Sequence, residues 1–164
     1  MREKSILTRI LDFVYSKSKQ PVLLKDLLVA SIQHSNGLEA DSTRLGFRLK
    51  LTRAYFVYIG IVLFFLVPLS LLTHKVLANI DSHISILGAM IITALIFMGF
   101  NYFIDFLKTS MTKQSIQKAW SLHFPYFSYK EYSSKINSIF QQALREEVPK
   151  RDLQKYILDR VSTL

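Results

Sequence analysis

The sequence predicts an all-α membrane protein: a two-span transmembrane helical hairpin with amphipathic cytosolic helices at both ends. Three observations predict it: two long uncharged apolar runs, a basic excess beside them, and helical spacing of the remaining apolar residues. "AYFVYIGIVLFFLVPLSLLT", Ala54 to Thr73, and "ISILGAMIITALIFMGFNYF", Ile84 to Phe103, hold no charged residue. About 20 residues at roughly 1.5 Å each cross the ~30 Å hydrocarbon core. Thirteen Leu, Ile, Val or Phe in the first run favour insertion by about 4–8 kcal/mol, and ten in the second by about 3–6 kcal/mol. A soluble core helix is usually shorter and keeps a polar face.

The expected organisation is a cytosolic N-terminal helical segment over 1–53, a hairpin over 54–107 and a cytosolic C-terminal helical segment over 108–164. The spans cover about 54–73 and 84–106, with an outer loop at 74–83. Lys and Arg resist translocation, so short basic flanks set orientation. Arg44, Arg48, Lys50 and Arg53 precede the first span and Lys108, Lys113 and Lys118 follow the second, whereas the link "HKVLANIDSH" offers only Lys75 against Asp81. Both termini are therefore expected in the cytosol, with the protein two-pass in a bacterial inner (plasma) membrane. Arg44, Arg48, Lys50, Arg53, Lys108 and Lys113 are the expected membrane-surface cations.

The net charge of +9 has the same origin, because ten basic and five acidic residues lie in each of 1–53 and 108–164. Such retained flanks suit anionic lipid. A basic N-terminal segment without an apolar core predicts no cleaved signal. The chain has no cysteine, which removes disulfides, thiolate metal sites and cysteine nucleophiles together.

In the N-terminal segment, "SILTRILDFVYSK" places Ile6, Leu7, Ile10, Leu11 and Val14 at helical spacing and predicts an amphipathic helix ending before Gln20 and Pro21. A second helix starts near Pro21 and carries Val22, Leu23, Leu24, Leu27, Leu28 and Ile32. "HSNG" stops it, with Gly37 suited to a left-handed cap. The segment 44–53 reads two ways: Leu45, Phe47, Leu49 and Leu51 alternate as in a strand, while Leu45, Leu49 and Phe56 share a helical face. A helix capped by Asp41 or Ser42 and running into the first span is favoured, since no partner strand follows and a lone strand is unstable.

No proline or glycine interrupts "DFLKTSMTKQSIQKAWSLHF", so the second span is expected to continue as one helix until just before Pro125. Ser128 with Glu131 fits a capping box opening the next helix, whose stripe runs Tyr132, Ile136, Ile139, Phe140, Ala143 and Leu144 and stops at Val148–Pro149. "KRDLQKYILDRVSTL" gives a last amphipathic helix with Leu153, Tyr156, Ile157 and Val161 on its face. Such short helices need a surface to cover them. The aromatic run Phe124, Tyr126, Phe127, Tyr129 and Tyr132 reads as a hinge core around Pro125, with Phe127, Tyr132 and Phe140 the expected partner contacts.

Inside the spans, Pro68 frees the carbonyl four residues earlier. Tyr55, Tyr58 and Tyr102 suit the aromatic belt. "FMGFNYFIDFLKTS" places Asn101 and Asp105 on one helical face. Counted from Ile84, the hydrocarbon ends near Phe103, so Asp105 falls at the boundary and Asn101 one turn inside. With Gly99, these residues form the expected intramembrane helix contact.

His34, His74, His83 and His123 are widely spaced, without a metal-binding pattern, and no phosphate loop or nucleophile elbow occurs. The expectation is a non-enzymatic protein without cofactor or metal. Its expected role is a small integral membrane anchor or scaffold, or an assembly or regulatory subunit of a larger membrane complex, acting through protein–protein contacts of its cytosolic helices. Its expected partners are membrane lipid and either other complex proteins or copies of itself. An oligomeric pore or transporter subunit is the first alternative. A membrane-tethered nucleic-acid-binding protein is the second, although interleaved Lys and Glu without a reading motif give it little to stand on.

Overall fold

In a computed structural model, residues 5–77 and 82–163 are described, side chains excepted at 73–77, 82–83 and 85. Residues 78–81 of the expected outer link, and the side chains of His74 and His83, therefore lie outside the described residues, while 74–77 and 82–83, expected as loop, are helical. The chain is mostly helical. It divides into two compact units, the first comprising Met1–Ser16 and Leu49–Lys108, the second Lys17–Arg48 and Thr109–Leu164.

The first unit holds α1 (Ile6–Val14), α3 (Leu51–Leu77) and the N-terminal part of α4 (Ser82–His123). Leu11 and Val14 are buried on α1, which packs against α3. The start of α3 is tied to the end of α1 twice. Lys50 N–H donates to the Val14 carbonyl (2.9 Å) and Arg53 Nη1 to the Phe13 carbonyl (3.0 Å). A guanidinium at the last turn of α1 satisfies an orphan carbonyl and opposes the negative end of the helix dipole. Both α3 and α4 are long and apolar enough to cross a membrane, and their apolar windows leave nothing buried inside the fold. Pro68 lies within α3.

The second unit holds α2 (Leu24–Ser35), the C-terminal part of α4, α5 (Tyr129–Arg145) and α6 (Leu153–Ser162). The stripe of α5 packs against α6 and α2. Trp120, Phe124, Phe140, Leu27, Leu28 and Ile157 are among the large side chains sealed in its core. The amphipathic ends thus cover each other. This overturns the expectation for Phe140: it is 0% exposed, between Ile136, Ile139 and Ala143 on the buried face of α5, and offers a partner no surface.

The all-α expectation needs one correction. Tyr15–Lys17, expected as the tail of the first helix, is β1, and Phe47–Leu49, favoured as helix, is β2; the two pair as a two-stranded sheet. The partner strand precedes the segment, where a search toward the membrane could not find it. Lys50 N–H to Val14 O and Ser18 N–H to Gly46 O (2.7 Å) bracket an antiparallel register. Asp41 Oδ1 accepts from Thr43 N–H (2.9 Å), capping a turn and not a helix, and Gly46 adopts φ +69° to lead into β2. Helix α4 runs unbroken past Asp105 to His123, ending before Pro125.

Candidate functional site

The helices of the hairpin meet around Tyr58. Its hydroxyl donates to the Ile96 carbonyl (2.6 Å), and its ring lies 5.3 Å from Phe100 and 5.4 Å from Phe103. Tyr55 packs edge-on against Phe100 at 5.7 Å. The expected contact residue Gly99 belongs here: a Cβ added to it would lie 2.5 Å from Tyr58 Oη. Glycine lets the phenol reach the backbone one turn away. Asn101 and Asp105 do not share this face; both are exposed, outside the contact with α3. Tyr102 is exposed, whereas Tyr58 is half-buried inside the hairpin.

The expected surface cations separate by environment. Arg44 pairs with Asp41 (3.4 Å) and lies 4.0 Å from Asp26, so it is held within the second unit. Arg53 sits over the Phe13 ring at 5.1 Å while bonding its carbonyl. Arg48, Lys50 and Lys113 are exposed, and Lys108 is half-buried.

A cleft in the second unit emerges that sequence spacing did not reveal. It encloses about 210 Å³ between the Lys17–Val22 segment, Leu45–Gly46 and one side of α4. Lys17, Lys19 and Lys118 line it with Ser18 and Ser115, over an apolar floor that includes Leu45, Ala119 and Leu122; among the described residues lining it there is no carboxylate. Its wall is pinned by His123, whose Nε2 donates to the Val22 carbonyl (2.8 Å) and whose carbonyl accepts from Gln154 Nε2 (3.3 Å). Such a surface suits an anionic group flanked by an apolar one. Only its chain-distant assembly, 17–22 against 115–122, hid it from the sequence.

The aromatic elbow is a packed joint. Trp120 Nε1 donates to the Phe127 carbonyl (2.8 Å), and its ring contacts Phe124 (4.8 Å) and Tyr129 (5.0 Å). Phe127 and Tyr132 stack edge-on at 5.0 Å, each half-buried. The sequence reading did not single out Trp120, although it follows Ile116 by one helical turn and is buried with it.

At the end of α5, Glu146 gathers Tyr156 Oη (2.6 Å), Gln142 Nε2 (2.9 Å) and Arg160 Nη2 (3.4 Å). The Tyr156 hydrogen bond, with the Arg160 charge, holds the Glu146 carboxyl below its usual range against some desolvation. Partial burial, then the bond to Glu146, pushes the Tyr156 phenol up. Among the described residues, no three His, Cys, Asp or Glu gather as a metal site.

These features define a mostly helical protein with two helices apolar enough to cross a membrane and a packed helical unit built partly on the second of them. No protein-family model matches the chain, and neither a curated protein nor a solved structure does.

Proposed function

We propose that this chain is a two-pass anchor of a bacterial inner membrane, with both termini cytosolic. In this reading it is a scaffold, or an assembly or regulatory subunit of a larger membrane complex, working by protein–protein contact. The observation that carries it is α4 itself. One uninterrupted helix presents an exposed apolar stretch near its start and supplies Met111, Ile116 and Trp120 to a closed core near its end. A continuous helix linking lipid-suited surface to a packed unit is how an anchor holds an adaptor.

Because α5 and α6 bury most of their stripes within the unit, the partner surface proposed is the basic cleft, with the half-buried Phe127 and Tyr132 as a second contact. The cleft fits an acidic segment with an apolar side chain beside it. Purified in mild detergent, the full chain should bring down specific proteins, and Lys19→Glu with Lys118→Glu should release them. A strictly monomeric, partner-free particle overturns the proposal.

One observation favours the oligomeric pore or transporter subunit as a second reading: Asn101 is exposed on an apolar helix. A polar amide facing hydrocarbon is costly unless another helix meets it. This reading requires a ring-like oligomer and ion flux that falls in Asp105→Asn. Flux that is absent or unaltered favours the scaffold.

A further inference from the structure

The spans do not contain all the exposed apolar surface of the first unit. On α1, Ile6 is 78% and Phe13 49% exposed. Seven residues apart, they lie about 20° from one another on the helical wheel, and half-buried Ile10 lies about 40° from Ile6 toward the buried face. They form a strip beside, and not within, the face that buries Leu11 and Val14. In a water-soluble helix this edge would be polar.

The strip is continuous with the exposed base of the first candidate span. Phe13 is bonded to Arg53 through its carbonyl and covered by that guanidinium through its ring, which fixes its level at the first turn of α3. Three residues beyond Arg53, and so on the same side of α3, Phe56 is 66% exposed and carries the apolar surface on into the span. Arg9 and Arg53, both exposed, border the strip. Apolar side chains edged by arginine, continuous with the end of a span, match the polarity gradient of a headgroup layer, where an amphipathic helix lies with its apolar side about 5–10 Å deep.

We infer that α1 is a membrane-surface helix whose Ile6–Phe13 strip lies in the headgroup layer of a lipid bilayer, held at that depth by Arg53. The inference rests on the two-pass reading above. Its partner is lipid and not protein, because the strip extends the surface that lipid would already cover. Arg53 acts as a positioning residue: it caps the end of α1, shields the Phe13 ring and offers its remaining N–H groups to phosphate oxygens.

The cysteine-free chain allows a direct test. Full-length Ile6→Cys, Asp12→Cys and Phe64→Cys are each labelled with a nitroxide and reconstituted into phosphatidylethanolamine–phosphatidylglycerol vesicles. Collisions with oxygen, which favours lipid, are compared with those of a water-soluble nickel chelate. The expected result is a several-fold higher oxygen-to-nickel ratio at position 6 than at position 12, with position 64 higher still. A water-like ratio at position 6 beside a lipid-like one at 64 overturns the inference and leaves the two-pass reading standing. Poor access of both reagents to position 6 also overturns it, since protein would then cover the strip. A water-like ratio at 64 removes the two-pass reading and the inference together.

Discussion

Trp120 joins α4 to the elbow by one hydrogen bond and two ring contacts, so substitutions there separate polar from packing contributions. Trp120→Phe keeps a ring but orphans the Phe127 carbonyl, at an expected cost of about 1–3 kcal/mol. Trp120→Ala should cost about 3–5 kcal/mol by opening the core. Denaturant unfolding of the detergent-solubilised chain measures both. Glu146 gives the matching pH signature. Its folded pKa is lowered, so its contribution is present above the ordinary carboxylate range and is lost as pH falls through the folded value. Tyr156 is raised, so its contribution is present up to the ordinary phenol range and lost as pH rises through the folded value. The α5–α6 junction should therefore hold best between these limits. Glu146→Gln should flatten the acid limb of a stability–pH profile, and an unchanged limb would refute the assignment.

At the scale of elements, α2 and α5 end in the same Schellman arrangement with different residues at its left-handed position. After α2, Gly37 takes φ +71°, with its N–H on His34 O and that of Leu38 on Gln33 O. After α5, Glu147 takes φ +54°, with its N–H on Leu144 O and that of Val148 on Ala143 O. The first was readable because glycine marks the position; the second was not, because glutamate does not. Glu147→Gly should stabilise the chain and Gly37→Ala destabilise it, each by about 1 kcal/mol in thermal or chemical unfolding. Ser128 does stand at the N-cap of α5, but its side chain makes no capping bond there. In the hairpin, Tyr58→Phe should cost about 0.6 kcal/mol and at most about 1.7 kcal/mol, if the hairpin sits in a bilayer as proposed. Gly99→Ala should cost more, because its methyl would drive Tyr58 off the Ile96 carbonyl. Cross-linking between α3 and α4 in the two variants ranks them.

For the whole molecule, the expected orientation follows from the distribution of cations. A periplasm-active reporter should work at Asn79 and fail after Lys118, and the reverse pattern would invert the proposed anchor. Partner capture makes the complementary test of its second unit. The second unit has a sealed core of its own, with α5 packed on α6 and α2. Its partner is therefore expected to dock on a finished surface, with little folding on binding, so charge reversal in the cleft should weaken association without lowering the unfolding midpoint.

By itself, the sequence determined the elements whose signal is local. Two uncharged runs exceed what a soluble core helix needs, 3.6-residue spacing marks each amphipathic stripe, and Gly37 and Pro125 mark where helices stop. Tertiary structure alone decided what each stripe meets. Periodicity says that Phe140 avoids water, but only the packing of α5 against α6 and α2 shows that it is sealed inside the unit. In the same way, Tyr15–Lys17 is a strand because Phe47–Leu49, thirty residues away, offers its backbone. Asn101 and Asp105 share a helical face by spacing, yet Gly99 and Tyr58 make the contact, because close approach follows the smallest side chain and not the most polar one. Local chemistry sets which surfaces must be covered; the partner that covers each is a non-local choice made by shape.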